Sequence, residues 1–186
     1  MLKPAVAAAV VAAVLACLAS PGAAATERGP GLDPGLGSGQ DETARVPARV
    51  ILVRGQDGDV LARVPLHGGR FAVSYRNSIY GTLAEERYDI LPDGRFRLVQ
   101  IAADQVAVLE EYYAVPGAPR RAPGPDPREW TVPPDPARPA VFETLSIAAT
   151  DLGERTVHVP GEPPLQLWRL VEDAEPFVVL DAEENP

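Results

Sequence analysis

The sequence predicts an all-β fold class: a single antiparallel β-sandwich, or a partly closed barrel, of about nine short strands. Two observations carry this expectation. Apolar and polar residues alternate with period two through several short runs, clearest where Phe71, Val73 and Tyr75 fall on one face and Ala72, Ser74 and Arg76 on the other. These runs are separated by Gly, Pro, Asn and Asp turns, and no convincing amphipathic helix lies between them.

Taken in order, the chain opens with Lys3, the apolar run PAVAAAVVAAVLA and an exit of small residues ending Ala23-Ala24-Ala25, the pattern of a secretory signal over residues 1–25. The run falls short of the roughly 20 apolar residues that a bilayer-crossing helix needs. No transmembrane helix is therefore expected after processing, and mature protein beginning at Thr26 is the first reading. A competing reading takes Val14-Leu15-Ala16-Cys17 as a lipoprotein box, with Cys17 carrying a lipid anchor. Residues 26–47 are Gly, Pro and acid with little to bury, which predicts a flexible, disordered linker.

The β-rich domain is expected over residues 48–186. Arg49–Arg54 and Val60–Leu66 read as a hairpin around a Gly- and Asp-rich turn. Arg70–Arg76 leads through Asn77, Ser78, Gly81 and Thr82 into a strand from Leu83 to Leu91, and Pro92-Asp93-Gly94 turns that into Arg95–Ile101. Gln105–Tyr113 reads as a further strand. Between residues 116 and 139 nine of 24 residues are proline, which excludes helix interior and central strand and leaves a long loop, with Trp130-Thr131-Val132 as an apolar peg. Strands are expected again at Val141–Ala149, Arg155–Val159, Leu165–Val171 and Phe177–Leu180.

Composition bounds the function. The 186 residues fit one domain, and the lone Cys17 permits no intrachain disulfide. The formal charge of −9, with arginines interleaved among Asp and Glu, argues against nucleic acid as a partner. His67 and His158 are the two histidines, with no G-x-S-x-G elbow, no dinucleotide fingerprint and too few ligands for zinc, so no cofactor and no metal is expected. What remains is a polar set at a strand end: Tyr75, Asn77, Ser78, Thr82 and Glu86. Neutral donors and acceptors with one carboxylate suit binding more than bond-breaking, although such residues also commonly satisfy turn backbone. In a hairpin, Glu86 is expected on the strand facing Tyr75.

The pattern Phe-x-x-x-Tyr-x-Asn-Ser-Ile-x-x-Thr-x-x-x-Glu, from Phe71 to Glu86, resembles the signature of a bacterial family of exported proteins, domain of unknown function 1850. The likeness covers roughly residues 50–115, and residues 142–180 more loosely. Phe71, Tyr75, Ser78, Thr82 and Glu86 fit the pattern, while Asn77 stands where the family has His, and Ala102–Ala107 lacks the family's Gly-Ala-Gly-like segment. Members are often encoded beside TAXI-type TRAP solute transporters. The leader and the polar set lead to the expectation of an exported, non-enzymatic binding or accessory protein of the periplasm or the outer face of the cell envelope, and the resemblance implies a link to solute uptake, with a small solute or transporter components as partners. The alternatives are a hydrolase-like enzyme using Glu86 as general base and a structural protein-interaction module that uses the proline loop.

Overall fold

A computed structural model describes residues 49–138 and 140–184; the leader, Cys17 and the 26–47 linker lie outside the described residues. The strands are β1 (Arg49–Arg54), β2 (Val60–Leu66), β3 (Arg70–Arg76), β4 (Leu83–Ile90), β5 (Phe96–Ala103), β6 (Arg120–Arg121), β7 (Trp130–Val132), β8 (Val141–Phe142), β9 (Leu145–Ala148), β10 (Thr156–His158), β11 (Leu165–Gln166) and β12 (Phe177–Glu184). They form an antiparallel sandwich of two open sheets, neither closed into a barrel. The smaller sheet has the order β2-β1-β12-β9; the larger runs β11-β10-β3-β4-β5-β7-β6, with β8 also paired to β5.

The inward stripe of each alternating run meets its counterpart in a core joining both sheets. Ile51, Val53, Val178 and Leu180 of the smaller sheet pack with Phe71, Val73, Tyr88 and Phe96 of the larger one. Burying such side chains contributes roughly 1.5–3 kcal/mol each before entropy is charged. Phe71 stacks on Tyr88 with ring centroids 5.1 Å apart and meets Phe96 edge-on at 5.2 Å. A second cluster, of Tyr75, Ala84, Ile101, Ala103 and Val132, is covered by Val108 and Leu109.

Those last two residues correct the expected strand at Gln105–Tyr113. The segment turns helical, with a single π-helical turn at Val108–Tyr112 whose Val108 and Leu109 are fully buried. Its β-branched and aromatic residues favour strand locally, but packing over the end of the larger sheet wins. The proline-rich loop is corrected too. Its proline-free stretch keeps the amide groups that a ladder needs, and β7 pairs β5 in the register Ile101↔Val132, Ala102↔Thr131, Ala103↔Trp130, with β6 outside it. The peg at Trp130 is thus a strand, and Arg121 lies over its ring at 4.9 Å. In the last third, Val141–Ala149 splits into β8 and β9. Only Leu165–Gln166 of the expected Leu165–Val171 strand is extended; Leu167–Arg169 forms a 3-10 turn that plugs Leu167 into the core.

A bulge shapes the middle of the larger sheet. Arg87 pairs Gln100 but Tyr88 pairs Leu98, so Val99 is the extra residue. Phe96 and Leu98 face inward on one side of it and Ile101 and Ala103 on the other, which keeps both ends of β5 in register with the core.

Candidate functional site

The structure does not bring the five candidate residues into one site. Glu86 and Tyr75 share the inner face of the β3–β4 hairpin, but Glu86 stands opposite Val73 and Tyr75 opposite Ala84, so the expected facing pair is offset by one inward position. Their link is indirect. Tyr75 donates its hydroxyl to Tyr113 at 3.0 Å, Tyr113 donates to Glu86 Oε1 at 2.6 Å, and Tyr88 donates to Glu86 Oε2 at 2.7 Å. Both carboxylate oxygens are therefore occupied by phenols where the two apolar clusters meet. Burial, with the Glu86 charge adding to it, pushes the Tyr88 and Tyr113 hydroxyls well above the usual phenol range. Burial raises Tyr75 likewise, and the Arg155 guanidinium lies 4.4 Å over its ring.

Asn77 organises the turn. It is 2 % exposed, its Oδ1 accepts the amides of Ile79 at 3.0 Å and Tyr80 at 3.1 Å, and its own amide and carbonyl bond to Thr82 and Gly81. Gly81 takes φ +66, which glycine adopts without Cβ strain. Ser78 points to solvent, and Thr82 Oγ1 is buried without a hydrogen-bond partner among the described residues. Three of the five thus lie in this turn, apart from the carboxylate.

A more site-like surface lies on the opposite, outer face of the larger sheet. An open groove of about 630 Å³ runs over β3, β4, β5 and β10, lined by Arg70, Glu85, Arg87, Asp89, Gln100, His158 and Glu162 among others. Most of its charges are compensated in pairs, with Glu162 bonded instead to His67 at 2.8 Å. Arg87 donates to Glu85, to Gln100 and, in a two-pronged pair, to Asp126, all at 2.7 Å. Arg128 lies 3.5 Å from Glu85 and 3.0 Å from Asp104, while Asp89 bonds both Arg70 and Arg97. The hydrogen bonds to Arg87 hold the Asp126 carboxyl below the usual carboxylate range and raise the guanidinium in turn. Asp126 and Arg128 belong to the proline-rich loop, so this network also fastens that loop to the sheet.

Beside the groove, Ser74 Oγ and His158 Nε2 share a hydrogen bond of 2.8 Å across β3 and β10. Ser74 is 6 % exposed and is not part of the groove wall, whereas His158 is. Burial lowers the His158 pKa below its ordinary value of 6.5, outweighing the opposite pull of Glu85, while Arg128 reinforces the lowering. The folded state thus favours neutral imidazole. As pH falls through 6.5 the unfolded chain takes up the proton first, and stability declines until the folded imidazole also titrates. His158→Gln should flatten that part of the curve, which thermal melts between pH 7.5 and about pH 5 would read. An unchanged slope would show that other groups set it.

The sequence reading missed the groove because its residues come from four strands and a loop. The outward polar positions of β3 and β4 were legible; their meeting with His158, 84 residues from Ser74, was not. Among the described residues, no group of three or more His, Cys, Asp or Glu is placed to hold a metal ion. Comparison of the chain with protein-family models, curated proteins and solved structures finds no match.

Proposed function

We propose that this chain is an exported, non-enzymatic binding or accessory protein of the cell envelope that takes a small polar solute into the outer-face groove and works beside a TRAP-type solute transporter. The observation that carries the binding reading is the groove's chemistry. Apart from Glu162, which bonds His67, its acids pair with arginines, leaving hydrogen-bonding groups such as the Gln100 NH₂ to meet a ligand. Bond-breaking is less well supported. A general base needs a free lone pair within reach of substrate; Glu86 spends both oxygens on phenols, and Ser74 is buried off the groove wall. The transporter link rests on the resemblance carried by Phe71, Tyr75, Ser78, Thr82 and Glu86, and export rests on the leader.

A thermal-shift screen of small polar solutes tests the binding step. Wild-type protein should be stabilised by a ligand at concentrations well above its Kd, and Gln100→Ala, which also gives up the bond from Arg87, should lose most of the shift measured from its own ligand-free Tm. Equal shifts in the variant would move the ligand out of the groove. Turnover of a chromogenic ester that disappears in Glu86→Gln would overturn the non-enzymatic reading. An adjacent transporter gene is expected, and its absence would remove the transporter link. Mass spectrometry of mature protein should find Thr26 first, whereas a lipid-modified Cys17 would decide for an anchor and an intact Met1 would overturn export.

A further inference from the structure

We infer that one end of the sandwich, built from the β3–β4 turn, the π-helical turn and the β9–β10 loop, is a docking surface for a partner protein offering an apolar pocket rimmed by basic side chains. The inference stands apart from the groove. Ile79 and Leu152 are the most solvent-exposed large apolar side chains among the described residues, at 72 % and 74 %, with Phe177 at 47 % and Tyr112 at 44 %.

Topology brings the segments that carry these four to one end of the sandwich. The β3–β4 turn is tied to the β9–β10 loop by the Arg76 amide donating to the Gly153 carbonyl at 2.8 Å and by the Arg76–Glu154 pair at 2.9 Å. It is tied to the π-helical turn by the Tyr80 hydroxyl donating to Glu111. Phe177 opens β12 opposite Ala148, the last residue before the β9–β10 loop, so it borders the same end. Singly exposed apolar residues are ordinary; a group of them at one end marks an interaction surface.

The two most exposed tips are held in place. Asn77 Oδ1 accepts the Ile79 amide at 3.0 Å, and Asp151 Oδ1 accepts the Leu152 amide at 2.7 Å. Each apolar side chain thus sits on a turn fixed by a preceding Asn or Asp, which lowers the ordering cost of binding. This gives buried Asn77 a role through Ile79. Around the tips the balance of charge is acidic: Glu110, Glu111, Asp151 and Glu175 occupy the flanking segments against the cation Arg155, which lies over the Tyr75 ring, while Arg76 is paired with Glu154. An anionic lipid surface or a second copy of this chain would meet like charge, whereas a basic-rimmed pocket meets its complement.

A labelled amphipathic peptide of leucine and lysine, followed by fluorescence anisotropy at about 150 mM salt with the full chain, supplies the probe. Wild-type protein should bind it at least tenfold more tightly than a serine–lysine peptide of equal charge. The double variant Ile79→Asp/Leu152→Asp should lose at least tenfold in affinity at unchanged Tm. That design separates the causes, because two added carboxylates strengthen any diffuse attraction to lysine. Equal or tighter binding by the variant, or no binding by wild type, would overturn the inference. Flotation of wild type with phosphatidylglycerol vesicles, or self-association, would also overturn it if either is abolished by the same substitutions.

Discussion

Arg87→Met is expected to destabilise the protein by about 3 kcal/mol, the lower end of the cost of stranding a buried carboxylate by removing its partner. Arg87 sits between Glu85 and Asp126, whose side chains are 9 % and 13 % exposed, and Gln100 accepts from the same guanidinium. Methionine replaces the stem but none of these bonds. Arg128, 3.5 Å from Glu85, offsets part of the loss there, whereas Asp126 loses both of its side-chain donors and keeps the Arg128 amide at 2.9 Å and the more distant Arg128 charge. The damage should spread to the proline-rich loop, so cleavage after Arg120 and Arg121 by an arginine-specific protease should accelerate. The variant should also lose an acid-sensitive component of stability. Asp126 titrates below its ordinary value of 3.8 in the fold, so its contribution is present above that value and fades as pH drops through the folded one. Urea melts at pH 7 and pH 3.5 measure both effects. A melt matching wild type, with unaltered cleavage, would show that the network fixes geometry without adding stability.

How far this arrangement was legible in the sequence follows from the range of each interaction. The hairpins β1–β2, β3–β4 and β4–β5 were readable because alternation, Gly and Asp turns and pairing all lie within a few residues of one another. The Val99 bulge left a local mark, a change of phase between Leu98 and Ile101, but alternation alone does not say on which strand the extra residue falls. Gln105–Tyr113 is ambiguous in sequence because valine, leucine and tyrosine satisfy either a strand or a short helical turn. The choice was made by the end of the larger sheet, which needed Val108 and Leu109 as cover. Proline content hid β7, since a three-residue strand needs only three proline-free positions.

The candidate site shows the same limit more sharply. Asn77, Gly81 and Thr82 were correctly placed in a turn, because Asn capping and positive φ are local chemistry. The environment of Glu86 is not visible in the sequence, since its partner Tyr113 lies 27 residues on in a segment whose pattern predicts a strand. The groove depends on β10 joining β3 and on the proline-rich loop returning to Arg87, pairings with no local signature.

Glu86→Gln is expected to lower stability by about 1–3 kcal/mol without any ligand present, because a charge-assisted acceptor of two bonds becomes a group with one acceptor and one donor. The Tyr113 and Tyr88 hydroxyls now donate to separate oxygens at 2.6 and 2.7 Å. After the change, one of the two faces an NH₂ group and must turn away in a setting with little room to do so. Tyr113→Phe provides the companion measurement, since it removes the donor to Oε1 and also the acceptor that Tyr75 uses at 3.0 Å. If Glu86, Tyr113 and Tyr75 work as one unit, Tyr113→Phe combined with Glu86→Gln should cost less than the two separate losses added together, a coupling that a double-mutant cycle in urea reads directly. A carboxylate held ready for a ligand behaves differently: Glu86→Gln would melt with wild type and lose only the ligand-induced shift. Unchanged melting of Glu86→Gln would therefore return Glu86 to the binding surface and take it out of the scaffold.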